Sequence, residues 1–355
     1  MKKIQAIGLS AALLLSTNVQ AWEIDPTATI IDSPTTLIGV NHIGLSVRDL
    51  DRALAFYQKA SGYEVIYREI VSNSAAADKL FGMEGVEYEI AVLEAPNMLF
   101  ELIAFKHNAD KTPTRMPVQG PGMTHTCFQS STADSGYDRF IAAGIDMLSR
   151  GDAPIDLAGA GVTYAYGYDP EGNMFELEQL DATLLSASTS IKNKWIEEGH
   201  SMWMTQVALV THDLDRLTDW YERIMAFKPY REGDYDEHPR MIEITDHDGL
   251  SLKVSWFRMY NSSKTLEFWE YREPVTAAPV GKLGVTDFGY SYSLEVGDIQ
   301  AEYARMKEIG VEFISEPVLM GEFWQVYAND VDGNVFALRQ WVDANSPWSV
   351  PNLEM

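Results

Sequence analysis

VRDLDRALAFY (residues 47–57) returns as THDLDRLTDWY (residues 211–221): Asp49, Leu50, Asp51, Arg52 and Tyr57 reappear 164 places later as Asp213, Leu214, Asp215, Arg216 and Tyr221. A second pair, DPEGNMFELEQ (169–179) and DVDGNVFALRQ (330–340), repeats Asp169, Gly172, Asn173, Phe175, Leu177 and Gln179 at an offset of 161. Two separate segments sharing nearly one offset mark a duplicated module. The copies cover residues 37–181 and 201–342, with a linker over 182–200 and a tail over 343–355.

Each copy divides again. Residues 37–47 alternate as a strand does, Asp49 is placed to cap a helix from about Leu50 to Ala60, and Tyr63–Val71, Val86–Leu93 and Met98–Phe105 read as three further strands. The same strand–helix–strand–strand–strand order follows from Met123, with a helix over Ser135–Ala143 and a last strand over Met174–Leu180. The second copy repeats it, with helices near Leu214–Met225 and Ile299–Ile309. The expected fold is therefore α+β: four βαβββ units paired into two modules with cupped mixed sheets.

Composition bounds the rest. Lys2 and Lys3, an apolar run from Ile4 to Leu15, and Val19 and Ala21 near the end of a polar stretch have the layout of a secretory signal peptide over residues 1–21. The run is too short to span a bilayer, so the expectation is a periplasmic or secreted protein with no membrane insertion after cleavage. Removing the two lysines takes the formal charge from −25 to −27, which disfavours nucleic acid as a partner. A single cysteine, Cys127, rules out an intramolecular disulfide.

Four strands of the first copy each carry an odd residue. His42 lies on the face opposite Ile43, Leu45 and Val47; Glu101 is embedded in MLFELIAF; His125 shares a face with Cys127; Glu176 opposes Phe175 and Leu177. Each half thus contributes a His from its first strand and a Glu from its last. Two imidazoles and two carboxylates suit an octahedral divalent ion with two positions open; nickel, cobalt, iron, manganese and zinc are all compatible. In the second copy the matching residues are Gln206 and Ala337 by offset, with Lys253 opposite Glu101 and Ser291 opposite His125 by apolar register. That set cannot hold a metal, so the second copy is expected to be a scaffold. A lesser alternative makes Lys253 an anion-binding cation in place of the metal.

The βαβββ units, VNHIGLSVRDLDRALAFYQKASGYEV (40–65) and DPEGNMFELEQ together resemble the vicinal oxygen chelate superfamily, which includes glyoxalase I, fosfomycin-resistance proteins and extradiol dioxygenases. The order His42, Glu101, His125, Glu176 is most similar to the ligand order of bacterial glyoxalase I. The resemblance implies a metal-dependent lyase or isomerase that passes through an enediolate or enolate of a small substrate with vicinal oxygens, with Glu176 the leading base and Glu101 its counterpart. Ser46, Phe105 and Pro121 stand where glyoxalase I carries groups for the glutathione carboxylates, which leaves the substrate open. Phe105, Tyr164 and Tyr166 near the cup suggest an apolar or aromatic one. Two alternatives belong beside this reading: an iron(II) ring-cleaving dioxygenase using His42, His125 and Glu176, and a non-catalytic ligand-binding protein. Two modules in one chain are compatible with a monomer or a homodimer.

Overall fold

The computed structural model describes residues 22–23, 35–157, 159, 161–184, 194–259 and 264–353; the expected leader (1–21), residues 185–193 of the linker and residues 354–355 of the tail lie outside these. A short strand β1 (Trp22–Glu23) precedes four repeated units. The first is β2 (Leu37–Ser46), α1 (Leu50–Ser61), β3 (Glu64–Val71), a short α2 (Ala75–Phe81), β4 (Tyr88–Glu94) and β5 (Leu99–Phe105). The second is β6 (Gly122–Ser131), α3 (Gly136–Ala143), β7 (Asp146–Met147), β8 (Ile155–Asp156), β9 (Val162–Tyr168) and β10 (Met174–Leu180). After α4 (Lys194–Glu197) comes the third: β11 (Trp203–Val210), α5 (Leu214–Met225), β12 (Arg231–Asp236), α6 (Pro239–Thr245), β13 (Ser251–Arg258) and β14 (Thr265–Glu273). The fourth is β15 (Gly289–Val296), α7 (Ile299–Glu308), β16 (Glu312–Phe313), β17 (Val318–Met320), β18 (Phe323–Asn329) and β19 (Val335–Trp341), closed by α8 (Val350–Leu353). Four βαβββ units with mixed sheets are what the sequence predicts.

The repeated motifs are explained by one local device. Asp49 and Asp213 cap α1 and α5 by accepting the N–H of Arg52 and Arg216. Asp169 and Asp330 each close a tight turn, accepting two backbone N–H groups and the amide of Asn173 or Asn334. The helix tyrosines then donate to these turns, Tyr57 to Asp169 at 3.0 Å and Tyr221 to Asp330 at 3.1 Å. Arg52 and Arg216 reach the same turns through Pro170 O and Asp332. Motif one and motif two of each copy are therefore bonded to one another, which fixes helix against turn in both copies. The helix ends differ: Gly62 supplies the left-handed residue after α1 at φ 79°, whereas Ala226 occupies that conformation after α5 at φ 60°.

The pairing of units departs from the expectation. One sheet runs β1-β12-β13-β14-β11-β6-β10-β9-β7 and the other β16-β18-β19-β15-β2-β5-β4-β3. The second unit thus shares a sheet with the third through an antiparallel β6–β11 seam, and the first with the fourth through β2–β15. Units one and two, neighbours in sequence, meet instead through the helix layer, where Phe56 of α1 contacts Phe140 of α3 and Phe175 of β10. A large core lies between the sheets and includes Tyr57, Phe100, Phe128, Leu209, Tyr221 and Leu294. Each sheet curves around its own second cluster on the other face, one lined by Tyr166, Trp256, Trp269 and Tyr271, the other by Phe81, Tyr88, Phe105 and Tyr327.

Candidate metal centre

The unit exchange decides which polar residues meet. On the concave face of the first sheet, cross-strand partners line up in one row: Arg231 with Trp256, Trp256 with Glu267, Glu267 with Ala208, and Ala208 with His125. Glu176 continues it, paired with Cys127 on one side and Tyr166 on the other. Direct partners point to the same face, so His125, Glu176 and Glu267 converge, with ligand atoms all within 4.8 Å of one another. All three are buried.

Their electrostatics are unusual. Burial pulls the His125 imidazole down to about 3, so it is neutral; its Nδ1 meets Thr124 Oγ1 at 3.0 Å. Nε2 of His125 and Oε2 of Glu176 are buried with no hydrogen-bond partner. Burial, then repulsion from Glu267 and Glu178, pushes Glu176 well above the usual carboxylate range. Burial also takes Glu267 to about 7, although the indole N–H of Trp256 (2.6 Å), the Gln206 amide (2.9 Å) and the Trp269 indole (3.3 Å) all donate to it. Glu178, one strand repeat from Glu176, is likewise raised to about 7 by burial, with Gln129 and Cys127 bonded to it. Three crowded carboxylates, one neutral imidazole and two orphaned lone-pair atoms fit a divalent cation: a buried anionic cluster is costly until paired or bound to metal. Burying the orphaned atoms otherwise costs about 1–3 kcal/mol each. These residues form a candidate divalent-metal site; the donors do not select the metal.

His42 and Glu101 lie on the other sheet. They contact each other at 3.3 Å and form no cluster with His125 and Glu176. The expected single site of His42, Glu101, His125 and Glu176 is thus divided between two cups, because the seams join unit two to three and unit one to four. The second cup holds a cation of its own. Arg339 Nη1 bonds Glu101 Oε1 at 2.8 Å, and Arg339 Nε bonds Gln325 Oε1 at 2.8 Å. Its guanidinium lies over Phe323, 3.9 Å from the ring centroid. Burial opposes ionisation of Glu101, but Arg339 and His42 together hold its pKa below the usual value. Burial and then Arg339 hold His42 at about 3. The positions matching His125 and Glu176 are Ser291 and Ala337, and Ser291 leans so close to β2 that a Cβ on Gly44 would meet its Oγ at 2.5 Å. Among the described residues, this cup contributes no third ligand.

Two other expectations change with the register. Glu101 lies 59 residues after His42, and Glu267 lies 61 after Gln206, whereas Lys253 lies only 47 after it. Glu267, on the last strand of its unit, is the counterpart of Glu101; Lys253 belongs to the strand before. Lys253 also faces away from the cup, beside α5 among Asp215, Asp219, Glu222, Glu232 and Asp234, so it does not replace the metal's charge. The third unit is part of the site rather than scaffold. Tyr164 and Tyr166 belong to this cup, with the Tyr166 ring 5.0 Å from His125, while Phe105 lines the other one. The sequence reading missed Glu267, Glu178 and Arg339; the matching unit lengths carried the signal for Glu267.

Residues 41–166 match one family profile and residues 203–338 another, both described as the Glyoxalase/Bleomycin resistance protein/Dioxygenase superfamily. Among solved structures, glyoxalase I from Zea mays aligns over 85% of this chain and 92% of its own, at 20% identity and TM-score 0.56. A putative dioxygenase from Bacillus subtilis subsp. subtilis aligns over 87% of each chain, at 11% identity and TM-score 0.54. At these identities the likeness concerns the fold. No curated protein matches the sequence. With both halves matched by profiles of one family and four βαβββ units in place, the chain belongs to the Glyoxalase/Bleomycin resistance protein/Dioxygenase superfamily, the vicinal oxygen chelate group.

Proposed function

We propose that this protein is a divalent-metal-dependent lyase or isomerase that moves a proton at a carbon beside two neighbouring oxygens of a small substrate. The observation that carries this is the pair of orphaned atoms, His125 Nε2 and Glu176 Oε2, buried beside Glu267. His125, Glu176 and Glu267 would hold the ion, with the Gln206 amide, which bonds Glu267, as a fourth donor. A bound ion supplies Lewis-acid stabilisation of negative charge on substrate oxygens. The proton belongs to the chain's own carboxylates. Glu267 is fixed by two indoles and an amide, which suits a ligand that stays in place. One oxygen of Glu176 has no such restraint, and its proton affinity is raised, so Glu176 is the base and Glu267 takes the counterpart role first read onto Glu101. Trp256, Trp269 and Tyr166 exclude water around them.

The dioxygenase reading needs His42, His125 and Glu176 on one ion, and His42 lies on the other sheet. We further propose export, supported by the Lys2–Lys3 start and the Ile4–Leu15 run; an intact N-terminal Met1 on protein from its own cell would refute it. Metal analysis of that protein, followed by solvent-deuterium exchange into a 2-hydroxy ketone, tests the activity. We expect about one divalent ion per chain. Glu176→Gln should retain the fold and lose exchange by about 10²–10⁴-fold, the usual contribution of a general base. Oxygen uptake with iron alone, and no exchange with any metal, would overturn the assignment.

A further inference from the structure

We infer that Arg231 is an anion-recognition residue of this same cup, so that the substrate carries a carboxylate as well as its vicinal oxygens. The inference rests on the metal-centre reading and deepens it. Arg231 begins the cross-strand row that ends at the carboxylates: it pairs with Trp256, which pairs with Glu267. Two strand spacings put its backbone about 10 Å from that of Glu267, a span that a long side chain and a small molecule can fill together. The guanidinium stacks on Trp256, 4.3 Å from the ring centroid, and the same indole donates to Glu267. Stacking holds the planar fork at a fixed tilt.

The fork is underused. Arg231 Nε is buried without a hydrogen-bond partner; the guanidinium bonds the Tyr235 hydroxyl, and among the described residues Arg231 forms no ion pair. Its environment explains what it does face. Burial raises Tyr164, Tyr235 and Glu267, and in each case Arg231 is the cation that opposes the rise. Tyr164 stands on β9 across the cup from β12, and the Arg231 charge reaches it, so the two side chains approach each other over the concave face that carries the carboxylates. An acidic chain that leaves one stacked, half-buried guanidinium without a carboxylate partner at the rim of a carboxylate cluster offers a fork for a carboxylate from outside. The aromatic lining then selects an apolar or aromatic body between the two ends of the ligand.

The test uses the full chain loaded with zinc and two probes that differ only in charge: 3,4-dihydroxybenzoate and 3,4-dihydroxybenzamide, each offering vicinal oxygens. Isothermal titration should show tighter binding of the acid. Arg231→Gln should weaken the acid about 10–100-fold, as expected for loss of a bidentate charge-assisted contact, and change the amide by less than about 2-fold. Arg231→Lys should fall between, because it restores charge without the fork. Zinc affinity is measured for every variant first. If zinc binds all variants equally but the acid has no advantage, or Arg231→Gln weakens both probes alike, the anion subsite is refuted while the metal centre stands. If the wild type does not bind zinc and Glu267→Gln changes nothing, both readings fall.

Discussion

Replacing Arg339 by Met tests whether the second cup is held together by its own cation. Arg339 and Glu101 are 2% and 4% exposed, so their 2.8 Å contact is scarcely screened by solvent. Met keeps much of the apolar stem, and it removes the charge with the guanidinium that lies over Phe323 and Trp341. What remains is a buried carboxylate beside a neutral imidazole, and a Gln325 carbonyl stripped of its donor. Breaking a buried pair from one side costs about 3–5 kcal/mol. The pH dependence follows from signs. In the wild type the Glu101 pKa is lowered, so its stabilising contribution is present above the unfolded value of about 4.5 and is lost as pH falls through the folded value. In the variant, burial, the largest influence, is opposed only by His42, so that pKa rises and a penalty grows as pH rises. The gap between the two proteins should therefore widen from acid to neutral pH. Urea unfolding followed by tryptophan fluorescence at several pH values measures it, and Glu101→Gln in the Met background should recover most of the loss. A cost below about 1 kcal/mol at pH 7, or no recovery in the double variant, would refute the argument.

Other expectations follow from the same geometry. His42→Ala should leave the metal content of the protein unchanged, while Glu267→Gln should lower it; equilibrium dialysis against zinc distinguishes the two, and the opposite pattern would restore the single four-residue site. Metal-free protein should lose stability as pH rises from about 4.5 through 7, because Glu178 and Glu267 stay protonated in the fold to about 7 but ionise near 4.5 when unfolded. Added zinc should flatten that decline, which thermal melts at fixed pH would show. Tyr57→Phe should cost about 1–3 kcal/mol by leaving Asp169 short of a donor in a buried turn; chemical denaturation checks it, and an unchanged midpoint would mean that the turn closes without the helix.

Much of the fold was legible because it is written in local chemistry. Asp49 and Asp213 announce helix starts, the Asp–Gly–Asn turns announce hairpins, and their recurrence makes four units out of one pattern. Half of the metal centre was legible for the same reason: His125 and Glu176 are a strand His and a strand Glu of one unit, and one unit holds its first and last strands side by side in any arrangement. Glu267 and Arg339 were harder. EFWEYRE offers three glutamates within seven residues, and only the length of the unit tells which of them repeats Glu101. Arg339 sits at the repeat of Glu178, a change of charge sign that has meaning only once Glu101 is known to be its neighbour.

By itself, then, the sequence determined the family, the unit and the polar residues His42, Glu101, His125 and Glu176 of the first two units, since periods, caps and turns act over a few residues. The tertiary structure alone decided which unit completes which cup. Pairing unit one with two, or two with three, buries the same apolar faces, so strand patterning cannot choose between them. The choice is made by the β6–β11 and β2–β15 seams and by the α1–α3 contact that turns neighbouring units back to back. That long-range choice puts Glu267 beside His125 and Glu176, and Arg339 beside His42 and Glu101. One cup is left wanting a cation, and the other is supplied with its own.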